Sequence, residues 1–154
     1  FGELFEAETH AAGHAVHGGD ILPLLSGKIQ PEMVTALKIV AKSYKTACLT
    51  NNMRTGHGPT MSQNSCKANR IAEVMAIFEH IIESSQTGTR KPEPEFYKIA
   101  CEKLEIQPSE AVFLDDLGVN LKPARAMGMA TIKVVGPDQA IADLESVLGI
   151  SLRE

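Results

Sequence analysis

Short apolar runs alternate with amphipathic stretches along most of this 154-residue chain, and that alternation limits the folds open to it more than any other feature. KTACL (45–49), HIIES (80–84), AVFL (111–114) and TIKVV (131–135) have the length and composition of strands. Met33, Val34, Leu37, Val40 and Ala41 recur at helical spacing behind Pro31, which suits the first turn of a helix running to about Ser43. The loop-like stretch MRTGHGPTMSQNS precedes a second stripe of Ala68, Ile71, Ala72, Met75 and Phe78. Phe96, Ile99, Ala100 and Leu104 form a third behind Pro94. Helices over about 120–127 and after Pro137, the latter carrying Ile141, Leu144 and Leu148, complete the series. Apolar strands separated by such helices predict an α/β fold with a mostly parallel sheet covered on both sides.

In sheets of this kind ligands collect beyond the C-terminal strand ends, where the pattern places Thr50, Asn51, Ser84, Asp115 and Asp116. Lys91 falls in the crossover between two of these ends. Thr50, Lys91 and Asp116 are therefore expected to converge, although they span more than sixty positions.

The residue types at that mouth suggest anion and cation chemistry. Asp115 and Asp116, delivered by a four-residue apolar run, can hold a divalent cation, because Mg2+ prefers hard oxygen ligands and is commonly shared between carboxylates and substrate phosphate. A solvated acidic turn is the bland alternative. Thr50 and Asn51 offer a hydroxyl, an amide and backbone N–H groups to phosphate oxygens, or else form a simple turn or helix cap. Lys91, between Arg90 and Pro92, can neutralise phosphate, or be an ordinary loop lysine. Asn120 follows Gly118 near a helix start, where its amide can donate or accept a hydrogen bond.

A competing metal reading rests on Glu6, His10, His14 and His17, which share one face if residues 3–17 are continuously helical. The pattern is not HExxH, and Gly18-Gly19 ends it, so a polar helix face explains it equally well. Met127 and Met129 read as packing residues. Neither GxxxxGK[ST] nor GxGxxG occurs, which leaves ATP, GTP and NAD binding without specific support.

Composition narrows the partners. A formal charge of -4 offers no general attraction to nucleic acid or an anionic membrane. No apolar stretch approaches the roughly 20 residues needed to span a bilayer. Three cysteines without close pairing, at 48, 66 and 101, favour free thiols in a reducing, intracellular compartment.

The blocks KTACLTNN, IIESSQTGTRKPEPEFYKIA and SEAVFLDDLGVNLKPARAMGMATIKVV resemble motifs two, three and four of the haloacid-dehalogenase superfamily. More narrowly, they resemble the phosphatase-type domains of soluble epoxide hydrolase and of acyl-CoA dehydrogenase family members ten and eleven. The resemblance covers about residues 30–150 and implies a Rossmannoid three-layer sandwich over 30–154. Residues 1–29 resemble, more loosely, part of the helical cap of such domains. It further implies that Thr50 and Asn51 bind a transferring phosphoryl group, that Lys91 orients and neutralises it, and that Asp116 ligates Mg2+ directly. Asp115 is expected close by, supporting the ion, its water or Lys91, with Asn120 in the same cluster. The implied substrate is a small phosphate ester, with partner domains in a larger protein and a mitochondrial, peroxisomal or cytoplasmic setting.

Members of the family attack phosphorus with an aspartate from a DxD motif at the end of a central first strand, forming an aspartyl-phosphate. That motif is absent: the aspartates are 20, 115, 116, 138 and 143, and Asp20 has neither a strand before it nor a cap-like segment after it. The chain is accordingly expected to be a fragment without its nucleophile-bearing strand, and inactive by itself. A non-catalytic structural or interaction module of a larger lipid-metabolism protein is the alternative expectation.

Overall fold

The structure is a computed structural model, and it describes residues 2–15, 28–52 and 65–153. The chain divides into two compact units, residues 1–29 with 55–71 and residues 30–54 with 72–154. In the first, helix α1 (Gly2–Ala11) carries Glu6 and His10. It does not continue to residue 17 as the shared-face metal reading required. The chain turns at Gly13, whose φ of 83° is a left-handed value that favours glycine, and the His14 N–H donates to Thr9 O at 2.8 Å. His17 and Asp20 lie outside the described residues.

The second unit holds the sheet. Helix α2 (Pro31–Val40) starts on proline, as its sequence predicts, and unwinds through the turn at 41–43. Strand β1 (Ala47–Thr50) follows; helix α3 (Ser65–Met75) leads to β2 (His80–Glu83). β1 and β2 pair in parallel, with Ala47 opposite His80 and Thr50 opposite Glu83. Ser84, expected to end the strand, instead opens a single helical turn, α4 (Ser84–Thr87). The Thr87 hydroxyl donates to Glu83 O and Gly88 closes the turn at φ 74°, which together divert the chain from the sheet.

Helix α5 (Pro94–Leu104) buries Phe96, Tyr97, Ala100, Cys101 and Leu104. Strand β3 (Val112–Asp115) runs straight into helix α6 (Gly118–Ala126), which begins two residues before the predicted 120 because the Leu117 N–H is already turned back onto Asp115 Oδ1 at 2.8 Å. Strand β4 (Ala130–Lys133) pairs in parallel with β3, Asp115 lying opposite Lys133. It stops short of the predicted Val135, which is 79% exposed and donates its N–H to Gln139 Oε1 in helix α7 (Pro137–Leu148).

All four expected strands are thus present, each parallel to its partner. They form two separate pairs, however: among the described residues β1 and β3 share no backbone ladder. What joins the pairs is α5. Tyr97 and Cys101 pack with Ala124, Met129, Phe113 of β3 and Leu49 of β1, while Phe96 and Ala100 pack with Ile82, Ala47 and Leu49. Met129 is buried there and Met127 packs alongside, as packing residues should. A third cluster of Ala36, Ile141 and Leu152 seats α2 and the C-terminal segment on α7. Burying large side chains such as Phe96, Tyr97 and Leu104 stabilises by roughly 1.5–3 kcal/mol each, so α5 is held firmly and carries its N-terminal loop with it.

Candidate active site

Three strand-end segments of the second unit meet through that loop. Thr50 is the last residue of β1, and Asn51 follows it. The Asn51 side chain pairs with the Lys91 main chain: Nδ2 donates to Lys91 O and the Lys91 N–H donates to Oδ1, both at 2.9 Å. Lys91 Nζ in turn donates to Asp115 Oδ2 at 2.8 Å, at the end of β3. Its ammonium also lies 5.9 Å from the centre of the Phe113 ring, within range of a cation–π attraction. Lys91 of the crossover thus touches Asn51 beyond β1 and Asp115 at the end of β3, the sequence neighbours of Thr50 and Asp116, the residues expected to converge with it.

The two aspartates play different parts. Asp115 is buried, and both its carboxylate oxygens are hydrogen-bonded: Oδ2 accepts from Lys91, and Oδ1 accepts from the Leu117 N–H at 2.8 Å and Asn120 Nδ2 at 2.9 Å. Burial alone would push its carboxyl up, but these donors and the charge of Lys91 outweigh it and hold the group below the ordinary aspartate range. Asp116 is exposed, and among the described residues its carboxylate has no hydrogen-bond or ion-pair partner. The pair can therefore offer a hard cation one free carboxylate beside a committed one. That fits Mg2+, which is often bound through one or two carboxylates with water and substrate completing the shell. Among the described residues there is no group of three or more His, Cys, Asp or Glu side chains placed to hold a metal, on α1 or elsewhere.

Lys91 Nζ has three N–H donors, of which Asp115 takes one, so the ammonium still has donors for an anion. The Thr50 hydroxyl is uncommitted among the described residues. Cys48, two residues before it, is not a ready nucleophile: burial pushes its thiol up, the charge of Lys91 opposes this and that of Glu83 adds to it.

Sequence reasoning missed the scaffold around these groups. Asn52 clasps the end of β2, its N–H donating to Ser84 Oγ at 3.0 Å and its Nδ2 to Glu83 Oε1 at 2.7 Å, while the Ser85 N–H donates to Asn52 Oδ1 at 3.1 Å. Tyr97, one position beyond the apolar stripe that begins at Phe96, is fully buried and donates its hydroxyl to Asn120 O at 2.7 Å. It also stacks edge-on against Phe113, the ring centres 5.3 Å apart. The only sequence signal for this role was a polar tip on a residue next to a buried stripe.

The haloacid dehalogenase-like hydrolase family matches residues 3–128. The chain belongs to this family. Bifunctional epoxide hydrolase 2 of Sus scrofa is 39% identical over 122 residues, which are 79% of this chain and 21% of that protein. Acyl-CoA dehydrogenase family member 10 of Mus musculus is 40% identical over 123 residues, 79% of this chain and 11% of that one. This haloacid dehalogenase-like chain thus spans about a fifth and about a tenth of the length of those relatives. A haloacid dehalogenase family enzyme from Bacteroides thetaiotaomicron, solved with magnesium and inorganic phosphate, superposes with a TM-score of 0.57 at 22% identity, covering 85% of this chain and 67% of that one. The shared fold is the α/β Rossmannoid one with a mainly parallel sheet and a helical cap.

Proposed function

We propose that these 154 residues are part of a Mg2+-dependent phosphatase domain that hydrolyses phosphate monoesters through an aspartyl-phosphate, the nucleophilic aspartate coming from a strand outside them. The observation that supports this reading is the Lys91–Asp115 contact: Lys91 touches the end of β3, where Asp116 follows, and pairs through its main chain with Asn51, which follows Thr50, and among the described residues the Thr50 hydroxyl and the Asp116 carboxylate have no partner. The Bacteroides relative's magnesium and phosphate support the same ligand chemistry here.

In this reading Thr50 donates its hydroxyl to a phosphoryl oxygen, and Lys91 neutralises charge there while Asp115 holds it in place. Asp116, with Asp115 behind it, holds Mg2+, which when bound supplies positive charge that orients the phosphoryl group and offsets its negative charge. A carboxylate oxygen from the additional strand would attack phosphorus, the bond to the ester oxygen would break, and the departing alkoxide would take a proton from the second aspartate of that strand's DxD motif. Water would then give a proton back to that aspartate as its oxygen attacks phosphorus, breaking the bond to the nucleophilic carboxylate and releasing phosphate. The absence of a DxD motif from the sequence, and the lack of a ladder between β1 and β3 among the described residues, support a strand supplied from elsewhere in the parent protein. We read residues 1–29 as part of a cap and 30–154 as the core, acting beside other domains in the parent.

The test is phosphate release by matched proteins, one of these 154 residues and one extended by its natural upstream segment, with intact-mass detection of any trapped phosphoenzyme. The extended protein should turn over with Mg2+ and the shorter should not. Robust Mg2+-dependent turnover by the shorter one, mapped to one of its own residues, refutes the missing-nucleophile reading. Inactivity of both favours a non-catalytic module.

A further inference from the structure

Asn51 lies at the surface beyond β1, yet both polar ends of its side chain are committed to one residue 40 positions away. A side-chain amide that gives a hydrogen bond to one residue's C=O and takes one from its N–H imitates the paired exchange between neighbouring strands. Here that exchange fixes the main chain of Lys91, at 2.9 Å in each direction. Lys91 is thereby held at both ends, its backbone from β1 by Asn51 and its ammonium from β3 by Asp115. Asn51 is itself fixed, because the adjacent Asn52 is tied to Glu83, Ser84 and Ser85 at the end of β2.

Phosphate oxygens at neutral pH need donors. The Asn51 Oδ1 has none to give, and one of the two N–H groups on Nδ2 is already engaged with Lys91. Lys91 keeps uncommitted donors, and among the described residues the hydroxyl of Thr50, next to Asn51 in the chain, has no hydrogen-bond partner. We infer that Asn51 is a positioning residue whose side chain acts on a bound phosphate through Lys91 and not by touching it. The phosphate half of this inference rests on the function proposed above; the clasp on Lys91 does not.

The experiment measures inorganic phosphate affinity, with Mg2+ present, for the 154-residue protein and for Asn51→Ala, Lys91→Gln and the double variant. Asn51→Ala should weaken phosphate binding about tenfold when Lys91 is present and by less than about twofold in the Lys91→Gln background. Equal losses in both backgrounds mean that Asn51 touches phosphate itself, and overturn the inference. Hydrogen exchange of the Lys91 amide is followed in the same proteins. It should be about tenfold faster in Asn51→Ala, with the amides of Leu49 and Ile82 unchanged. If no variant binds phosphate, the 154 residues alone do not complete the phosphate site and exchange alone decides: faster exchange at Lys91 upholds the positioning role, and unchanged exchange overturns it. Asn51→Ser replaces the alanine variant should circular dichroism show that protein to be unfolded.

Discussion

Lys91 Nζ and Asp115 Oδ2 are 2.8 Å apart, with only 14% and 4% of their side chains exposed, and they join a crossover loop to the end of β3. Removing the acceptor strands three donors at once: the ammonium, the Leu117 N–H and the Asn120 amide. Asp115→Ala should therefore lower stability by roughly 3 kcal/mol, the low end for a broken buried pair, because Lys91 keeps some contact with water. Urea unfolding of the variant against the parent measures this. A loss below about 1 kcal/mol would show that solvent replaces the pair with little penalty.

The same carboxylate sets an acid response. Its folded-state pKa lies below the ordinary aspartate value, so its stabilising contribution is complete above that value and is lost as pH falls through the folded one. The urea midpoint should decline below about pH 4, and the decline should be shallower in Asp115→Asn. An identical slope in the two proteins would assign the acid response to other groups.

Asp116 should behave in the opposite way. It is exposed and uncommitted among the described residues, so Asp116→Ala should change stability by no more than about 0.5 kcal/mol. If it faces the cation, the same substitution should weaken Mg2+ binding by tenfold or more in calorimetric titration, since a hard cation loses its free carboxylate. Unchanged Mg2+ affinity would remove Asp116 from the metal site.

Tyr97 tests the layer beneath the site. Burial, and secondarily the charge of Asp115, push its phenol up to about 12. The protein has two tyrosines, so in Tyr44→Phe the tyrosinate absorbance reports Tyr97 alone, and its midpoint should fall near that value. Stability carried by the neutral phenol is present below the unfolded-state pKa and should be lost as pH rises from about 10. Tyr97→Phe should cost about 1 kcal/mol by leaving Asn120 O without its donor. Ionisation near the free-tyrosine value would mean that water reaches the hydroxyl.

Much of the fold was legible because its signals are local. Pro31, Pro94 and Pro137 each open the helix their position predicts, since proline's fixed φ suits a first turn where its missing N–H is not needed. The runs before Thr50 and Asp115 became strands ending at those residues. Errors fell where a side chain from elsewhere redirected the backbone or a glycine changed its course. Ser84 and Ser85 are tied to Asn52 where the chain leaves β2, and Gly13 turned the chain before a continuous helix could align His14 with His10.

The sequence by itself determined which elements form and which polar residues end the strands, because strand length, proline position and helical spacing depend on neighbours within a few residues. It also determined that no DxD motif is present. Only the tertiary structure decided that Asp115 is hydrogen-bonded while Asp116 is left exposed, what Asn51 holds, and that Tyr97 supports Asn120 from below. Those outcomes depend on contacts across 23 to 40 positions. A carboxylate's role follows from which donors the packing of α5 against β1 and β3 leaves within 3 Å of it, and that arrangement exists only once the chain has folded.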